Sequence, residues 1–285
     1  MKKLLAMILA LLMIFPLIAC SEPSNNDPKD DPTGTVNSDP TGTGKPEPSQ
    51  PATKTIYIPL TQEHTVDGKT TLTAYSYDEN NNLCSITITD STGAVLQMSN
   101  VENDAYGQPL KITETQNGIT AVIEYTYDSN GNILTQTLTQ DGELLQESVY
   151  TYNADGQVLT NRITAPGLLQ ETRYTYENGL ETRQEIYTNG ELSSVHSTSY
   201  DDQGRIIGFI SASPDGTVVD SYTCTWSEDG LVYTMAGDTA VHVITKDEHG
   251  NILRQESTYI SMGYSYIIQY TYKAIEVRAD SPRKK

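Results

Sequence analysis

The chain has few basic residues and little aromatic variety. Its 285 residues include 18 Lys and Arg against 37 Asp and Glu, for a formal net charge of −19. A charge of this size opposes binding to nucleic acid or to an anionic membrane surface, so we predict no nucleic-acid partner. It favours solubility and cationic partners, and it equally suits a solvated surface on an exported protein. The aromatic residues are 19 Tyr, two Phe and one Trp, so tyrosine carries almost all of the aromatic packing.

Sequence patterns that would indicate a catalytic site are also scarce. The four histidines, one of which is His64, show no metal-ligand spacing and no His-Glu-x-x-His motif. No Gly-x-Ser-x-Gly elbow occurs, and among 37 acids the carboxylate pairs of a glycosidase would arise by chance. The sequence therefore predicts no catalytic residue, no metal site and no cofactor. We expect His249 to be a solvated turn residue, and His196 and His242 to be surface or packed strand residues.

Long apolar runs are absent except at the N-terminus, which reads as a targeting signal. Lys2 and Lys3 precede an apolar stretch from Leu4 to Phe15, which is too short and wrongly flanked for a spanning helix. The following Leu-Ile-Ala-Cys ends at Cys20 and resembles the bacterial lipobox, in which the cysteine becomes the lipid-carrying first mature residue. We predict a signal peptide over 1–20 and lipidation at Cys20, which would anchor the protein at the extracytoplasmic face of the membrane. A plain secretory signal with a chance cysteine is the alternative.

Residues 21–54 are predicted to form a disordered tether. They hold seven prolines among Asp, Ser, Thr and Gly, and Asp-Pro-Thr-Gly-Thr occurs twice, at 31–35 and 39–43. Such a composition buries too little apolar surface to offset the entropy of ordering. At about 3.1 Å per residue, the segment could reach on the order of 100 Å, which suits a module held away from a membrane.

The rest of the chain is built from a repeat. Residues 125–134 read Tyr-Thr-Tyr-Asp-Ser-Asn-Gly-Asn-Ile-Leu, and similar segments begin at Tyr75, Tyr150 and Tyr200. The second tyrosine of each unit, or its replacement, recurs at near-constant spacing, which indicates one structural unit copied eight times. These positions are Tyr77, Asn103, Tyr127, Tyr152, Tyr176, Tyr200, Trp226 and Lys246, and Tyr272 closes the array.

Within a unit the period is two, which is typical of strands. Ile123, Tyr125 and Tyr127 share one face, and Val122 and Glu124 share the other. Five of the turns after these strands, at 104–107, 128–131, 153–156, 201–204 and 247–250, have Asp or Asn first and Gly fourth, a type I preference, and Asn81 replaces glycine in the first copy. The second turn of each unit carries a dipeptide ending in Gly, of which Asn-Gly and Asp-Gly are typical of two-residue hairpins. These dipeptides are Asn117–Gly118, Asp141–Gly142, Pro166–Gly167, Asn189–Gly190 and Asp215–Gly216.

The sequence therefore predicts an all-β domain over 55–275, an antiparallel meander of about 16 strands, followed by a basic tail over 276–285. An open sheet of that size would be about 75 Å wide at about 4.8 Å per strand, and twisted sheets rarely stay open at this width. The sheet must roll, either into a flattened barrel or into an open curved shell, and the sequence leaves both possible. Because Cys84 and Cys224 lie in the first and seventh repeats, which are distant in an open array, we predict two buried free thiols.

Two features of the repeat have alternative interpretations. Tyrosine rings can stack on sugars, but their period follows the repeat, which favours cross-strand ladders. Asp128 and the following Ser-Asn-Gly-Asn resemble part of a calcium loop, but the distal Glu ligand is missing and a turn already explains the Asp and Gly.

The units resemble the YD repeats of the RHS family. The resemblance rests on Tyr-Asp-Ser-Asn-Gly-Asn-Ile at 127–133, Tyr-Asp-Asp-Gln-Gly-Arg-Ile at 200–206 and Lys-Asp-Glu-His-Gly-Asn-Ile at 246–252, and it covers roughly 70–275. It implies an antiparallel β shell on a secreted or surface protein that binds carbohydrate or cell surfaces, or that encloses a toxin. This chain departs from the toxin-bearing members, because the residues after Tyr272 leave no room for a toxin domain.

We interpret the chain as a cell-surface, lipid-anchored β-repeat protein that acts as a binding or adhesive module for carbohydrate or cell-surface ligands. A purely structural spacer and an exported glycan-active enzyme are the alternatives. The repeat-motif residues expected to define the domain are Tyr75, Tyr77, Asp78, Tyr125, Tyr127, Asp128, Gly131, Tyr150, Tyr152, Gly156, Tyr174, Tyr176, Tyr200, Asp201, Gly204, Asp247 and Gly250.

Overall fold

The computed structural model describes residues 52–116, 118–260 and 262–278, and the regular structure in them is β-strand throughout. The predictions for 1–20 with Cys20, for the tether up to residue 51, for Asn117 and for the tail beyond 278 lie outside these residues. The strands are β1 Thr53–Val66, β2 Lys69–Tyr77, β3 Leu83–Asp90, β4 Val95–Asn103, β5 Pro109–Gln116, β6 Ile119–Tyr127, β7 Ile133–Gln140, β8 Glu143–Tyr152, β9 Val158–Ala165, β10 Leu168–Glu177, β11 Leu180–Thr188, β12 Glu191–Tyr200, β13 Ile206–Ala212, β14 Val218–Trp226, β15 Val232–Gly237, β16 Ala240–Lys246, β17 Ile252–Tyr259 and β18 Tyr264–Arg278.

The eighteen described strands form a closed antiparallel barrel. Each strand pairs with its neighbours in the chain, and β1 pairs with β18 from Thr53 opposite Arg278 to Val66 opposite Tyr266. The prediction of a rolled all-β meander is confirmed, and closure decides between barrel and shell. The count exceeds the expected 16 because the first and last strands supply a ninth pair with no turn motif between them. Their ladder also extends past the predicted domain bounds of 55 and 275.

The two ends of the barrel differ in their turns. One end, here called the motif end, carries the turns that follow the tyrosine strands, such as 128–132 and 201–205, together with Thr53 and Arg278. The other, here called the far end, carries the second turn of each unit, such as 141–142 and 189–190. Because β1 starts at the motif end, the N-terminal segment joins the barrel there.

The motif-end turns follow the predicted pattern. In the turn after β6, the Gly131 N–H donates to the Asp128 C=O at 3.1 Å, and the Asp128 N–H donates to the Asn132 C=O at 2.9 Å. Gly131 has φ 77° and Asn81 has φ 60°. Both residues occupy the left-handed region, which glycine and asparagine tolerate best, so the substitution in the first repeat is confirmed as conformationally equivalent.

The far-end turns follow the prediction except at one place. Asp141–Gly142 and Asn189–Gly190 have positive φ at both residues, as a type I′ hairpin requires. The prediction of a two-residue turn at Asp215–Gly216 is wrong, because the Gly216 N–H donates to the Ser213 C=O at 2.9 Å and closes a four-residue turn. Pro214 explains the change, since proline fixes a negative φ that suits a type I turn and excludes type I′.

The two faces of the barrel wall differ in polarity. Ile123 and Tyr125 are buried on the inner face with Ile112, Ala121 and Leu138, whereas the alternate residues point outward. On the outer face, threonines pair across neighbouring strands, with Thr126 Oγ1 2.7 Å from Thr135 Oγ1 and the same distance between Thr151 and Thr160. The predicted alternation is confirmed. The described part of the chain has no helix with the length and apolarity needed to cross a membrane.

Candidate functional site

The second tyrosine of each repeat ties its strand to the preceding repeat at the motif end. The Tyr127 hydroxyl donates to the C=O of Pro109 at 2.6 Å, and the Tyr152 hydroxyl donates to the C=O of Ile133 at 2.7 Å. The equivalent bonds run from Tyr77 to Pro59, Tyr176 to Val158, Tyr200 to Glu181 and Tyr272 to Ile252. Together these bonds form a girdle of hydrogen bonds around the barrel, which links each repeat to its neighbour.

Replacements of this tyrosine show what the position requires. Asn103 Nδ2 donates to the Leu83 C=O at 2.7 Å, and Trp226 Nε1 donates to the Ile206 C=O at 2.7 Å. Both side chains keep a donor that reaches the neighbouring repeat, which phenylalanine would lack. Lys246, the third replacement, places its ammonium 5.5 Å from the centroid of the Trp226 ring. This position therefore favours tyrosine, because tyrosine combines an apolar ring with a hydrogen-bond donor.

The first tyrosine of the motif packs on the inner face. Tyr125 stacks beside Tyr127 with ring centroids 6.4 Å apart. Burial raises the pKa of Tyr75, Tyr125 and Tyr150, because the phenolate form loses solvation. These contacts support the interpretation that the motif tyrosines build ladders. Tyr174 occupies the same repeat position and is half-buried.

The motif aspartates are committed to their own turns. Asp128 Oδ1 accepts from the N–H groups of Asn130 and Asn132, and Oδ2 accepts from Asn132 Nδ2, all at 2.8 Å. Asp78 and Asp247 repeat this arrangement with the asparagine four residues on. The carboxylate oxygens are thus occupied by the fold, as the turn interpretation requires. Across residues 52–116, 118–260 and 262–278, no cluster of three His, Cys, Asp or Glu side chains could hold a metal ion.

The structure spreads the predicted motif residues around the whole motif end and does not gather them into one pocket. Asp201 accepts from the Arg205 N–H and from Arg205 Nε, and these bonds lower the pKa of its carboxyl group. Gly156, Gly204 and Gly250 have positive φ like Gly131 and close the corresponding turns. The motif therefore explains the architecture, and a localised binding site must be sought elsewhere.

A row of rings on the inner face was missed by the sequence reasoning. His196 and Phe209 lie 5.3 Å apart between ring centroids, Phe209 and Tyr222 lie 6.4 Å apart, and Tyr222 and His242 lie 5.8 Å apart. The row continues from His242 to Tyr259 at 5.8 Å, to Tyr266 at 6.1 Å and to His64 at 5.4 Å. We call this set the ring belt: His196, Phe209, Tyr222, His242, Tyr259, Tyr266 and His64.

The repeat itself contains the signal that would have found the belt. His196, Tyr222 and His242 each lie four residues before the second-tyrosine position of their units, on the inner face. In five earlier units the same position holds a residue that is at most 6% exposed. Those residues are Thr73, Ser99, Ile123, Ser148 and Thr172. The belt residues are half-buried, so each retains contact with solvent.

The polar groups around the belt are mostly uncharged. His242 Nδ1 lies 2.8 Å from Ser257 Oγ, and the Tyr222 hydroxyl donates to Asp220 Oδ2 at 3.0 Å. Burial lowers the pKa of His64, His196 and His242, because the charged imidazolium loses solvation. Neutral imidazole offers one donor and one acceptor, as a hydroxyl-rich ligand requires.

Gly237 makes room for one ring of the belt. It lies opposite Tyr222 in the ladder between β14 and β15. A Cβ at this position would lie 2.5 Å from the Ser221 carbonyl oxygen and 2.9 Å from Tyr222 Cδ1. The glycine therefore lets the Tyr222 ring lie over the neighbouring backbone, and it fixes where that ring sits.

The outer face has two shallow depressions. One, of about 550 Å³, is lined by threonines with Glu102, Leu110, Lys111 and Glu124 on β4–β7. The other, of about 310 Å³, is lined by the serines and threonines around Gly208 on β12–β14, together with Phe209 and Tyr222 of the ring belt. Both are open, and they bring together one and two aromatic residues, whereas the ring belt brings together seven, so the ring belt is the better candidate for a ligand.

One expectation about a single residue is corrected, and another is extended. Cys84 is exposed, not buried, because the register between β2 and β3 shifts beside it and leaves it outside the ladder. Cys224 is buried as expected, and burial raises the pKa of its thiol. His249 is exposed in its turn, as expected, and its ring also stacks on Tyr57 with 4.6 Å between centroids. That contact joins the turn after β16 to the β1–β18 ladder.

Comparison with known proteins gives a partial sequence match and distant structural likenesses. A family model described as an uncharacterised protein matches residues 101–211. No curated protein matches the chain.

The similar solved structures include a porin-like protein from Bacteroides uniformis, with TM-score 0.41 and 13% identity over 75% of this chain and 98% of that one. A porin-like protein from Bacteroides vulgatus gives TM-score 0.31 and 10% identity over 75% and 98%. The TcdB2–TccC3 structure gives TM-score 0.32 and 15% identity over 70% of this chain but only 13% of its own length. Because all three scores are below 0.5, the function is inferred from the residues of this chain.

Proposed function

We propose that the chain is an exported, lipid-anchored binding module whose barrel is displayed away from the membrane and takes a carbohydrate ligand. The observation that carries the proposal is the placement of the N-terminal connection. Thr53 begins β1 at the motif end, so the predicted tether and the lipid on Cys20 would attach at that end. The far end would then face outward.

The inner wall supports a binding role rather than catalysis. Half-buried aromatic rings with neutral polar neighbours suit sugars, which present C–H faces and hydroxyl edges. The resemblance to YD repeats points to the same class of ligand. We propose that the protein is not an enzyme, because the described carboxylates and histidines serve turns and packing where their contacts are seen.

The anchor is tested by fractionation and mass spectrometry. The wild-type protein should fractionate with membranes and carry a diacylated or triacylated Cys20 as its first residue. Cys20→Ala should accumulate as precursor or be released. An unlipidated mature N-terminus at another residue would contradict the anchor.

The binding role is tested on isolated cell-wall material and a glycan array with the full-length protein in detergent. Retention by either surface supports the proposal, and retention by neither contradicts it. Turnover of a glycan that a single carboxylate substitution abolishes would replace the binding role with an enzymatic one.

A purely structural spacer is the second candidate, and the girdle favours it. The polar groups of the motif tyrosines and aspartates form hydrogen bonds within the fold, as a scaffold with no ligand would require. The ring belt has no comparable structural explanation, because its members do not follow the repeat through the whole array. Absence of binding together with loss of envelope integrity on gene deletion would favour the spacer.

A further inference from the structure

We propose that the ring belt is the ligand site and that it binds the rings of an extended, uncharged sugar chain along the inner wall of the barrel. This inference rests on the proposed binding function and names its location and its ligand class. The belt crosses the wall from β12 through β18 to β1, from mid-height at His196 and Tyr222 to the far end at Tyr259.

The length of the belt fits a chain and exceeds what a single sugar needs. The seven rings follow one another with centroid separations of 5.3 to 6.4 Å. Seven strand spacings separate β12 from β1 by way of β18, and at about 4.8 Å each they span about 34 Å. A row of this kind offers repeated stacking positions, so several weak contacts add up in one ligand.

The ring geometry leaves ring faces open along most of the belt, and only Tyr259 has a face covered by a parallel ring, that of Tyr264 at 4.9 Å. His242 and Tyr259 meet edge to face at 83°, and His64 and Tyr266 at 88°. In an edge-to-face pair only one ring covers its partner's face, whereas fully stacked rings would cover each other. The belt residues are half-buried, in contrast to Tyr125, which is 5% exposed.

The charge around the belt selects an uncharged ligand. Asp220 is the acid in direct contact with a belt residue through the Tyr222 hydroxyl, and it also accepts from Thr239 Oγ1. The described lysines and arginines of β9–β13 and β17 alternate outward with the other outer-face residues, where Arg173 and Arg254 pair with glutamates. On the inner face of β16, Lys246 lies at the motif end, where its ammonium packs on the rings of Trp226 and Tyr233. At mid-height an anionic chain would therefore meet Asp220 without a cation beside it. Ser257, Gln255 and the belt imidazoles supply neutral donors and acceptors for hydroxyl groups.

The test measures binding of neutral hexasaccharides by calorimetry. The full-length protein in detergent is titrated with cellohexaose, laminarihexaose, maltohexaose and chitohexaose, and with hexagalacturonate as the anionic counterpart. Phe209→Leu and Tyr222→Leu remove a ring face but keep apolar volume. Tyr106→Ala is the matched control, because Tyr106 lies 63% exposed in a motif-end turn. Circular dichroism and the urea midpoint verify that each variant is folded.

The expected result is that at least one neutral hexasaccharide binds and that each belt variant binds about tenfold more weakly, with Tyr106→Ala unchanged. If Tyr222→Leu fails to fold, Phe209→Leu and His196→Gln decide the outcome.

Wild-type affinity in the folded belt variants would overturn the inference, and so would an equal loss in Tyr106→Ala. Preference for hexagalacturonate would overturn the uncharged ligand class. Retention on cell-wall material without any hexasaccharide binding would overturn the inference while the binding function stands. Loss of both would remove the function and the inference together.

Discussion

The wall formed by β2–β10, here called the filled wall, and the wall formed by β12–β18, here called the ring wall, differ at the same position of the same repeat. Four residues before the second tyrosine, the filled wall carries small or aliphatic residues such as Ser99 and Ser148, which are 0% and 2% exposed. At that position the ring wall carries His196, Tyr222 and His242, and all three are half-buried.

The packing of neighbouring side chains explains the difference. In the filled wall a small residue faces a large one across the ladder, as Ser99 faces Ile86, so the inner surface interdigitates. In the ring wall Phe209 faces Tyr222, and the small Ser257 is flanked by two rings, those of His242 and Tyr266, so the rings are only partly covered. All units thus share one backbone conformation. The size of the residues at the inner-face position determines whether they are buried in the core or remain accessible.

The largest expected effect comes from truncating the filled wall. Ile112 is 1% exposed, so Ile112→Ala should lower the free energy of unfolding by about 2–5 kcal/mol through lost burial and a cavity. Ile268→Ala in β18 of the ring wall is the matched variant, and it should cost clearly less because Ile268 is only half-buried. Urea unfolding followed by circular dichroism measures both. Equal losses would contradict the distinction between the walls.

The two glycines beside the belt should respond differently to a methyl group. Gly237→Ala should cost about 1–3 kcal/mol, because the new Cβ meets backbone oxygen and the Tyr222 ring. Gly208→Ala, on the outer face, meets chiefly the movable Ser199 hydroxyl at 2.8 Å and should cost less. Urea midpoints compare the two. A more damaging Gly208→Ala would show that Tyr222 is not fixed by Gly237.

The motif turns should be equivalent in both walls. Gly131→Val and Gly204→Val each force a β-branched residue to φ 77°, at a cost on the order of 1–2 kcal/mol. The pair shares one conformation, so unfolding midpoints should shift alike. Unchanged midpoints for both would argue against the turn geometry, and a large difference would show that the walls diverge at their turns too.

The girdle should also contribute equally to both walls. Tyr127→Phe and Tyr200→Phe each remove one hydroxyl that donates to a carbonyl, at 2.6 and 2.7 Å. We expect each to cost about 1 kcal/mol in the free energy of unfolding. Thermal unfolding of the two variants beside the wild type measures the loss. A stable Tyr200→Phe beside a destabilised Tyr127→Phe would place the girdle's contribution in the filled wall alone.

The smallest effect is a pH dependence confined to the ring wall. The pKa values of His64, His196 and His242 lie below 6.5 in the folded state, so the unfolded chain takes up protons first as the pH falls. These histidines therefore do not lower the stability well above pH 6.5, and the free energy of unfolding should decline as the pH falls below 6.5 toward their folded-state pKa values. Replacing all three with Gln should flatten the urea midpoint over that window. An unchanged slope would contradict the predicted shifts.

The sequence predicted local features well and predicted contacts between residues distant in the chain poorly. The period-two pattern in 122–127 and the Asp-x-x-Gly turns predicted strands and hairpins correctly, because strand alternation and turn dihedrals are local. Pro214 shows the limit of a dipeptide rule: Asp215–Gly216 resembles a two-residue hairpin, yet the preceding proline dictates a four-residue turn.

The candidate site was harder to predict, because it depends on contacts across strands. His196 and Phe209 lie thirteen positions apart in the chain and become neighbours only through the register of β12 with β13. The position four residues before the second tyrosine could have been compared between units, and the change from Thr172 to His196 marks where the walls diverge.

The sequence by itself determined the all-β class, the repeat and most of its turns, because these follow from the conformational preferences of neighbouring residues. Only the tertiary structure decided that the sheet closes, since closure depends on β1 meeting β18 across more than two hundred residues, without a turn motif to announce it. The tertiary structure likewise decided which rings stay accessible, because burial of one side chain depends on the size of its partner on the next strand.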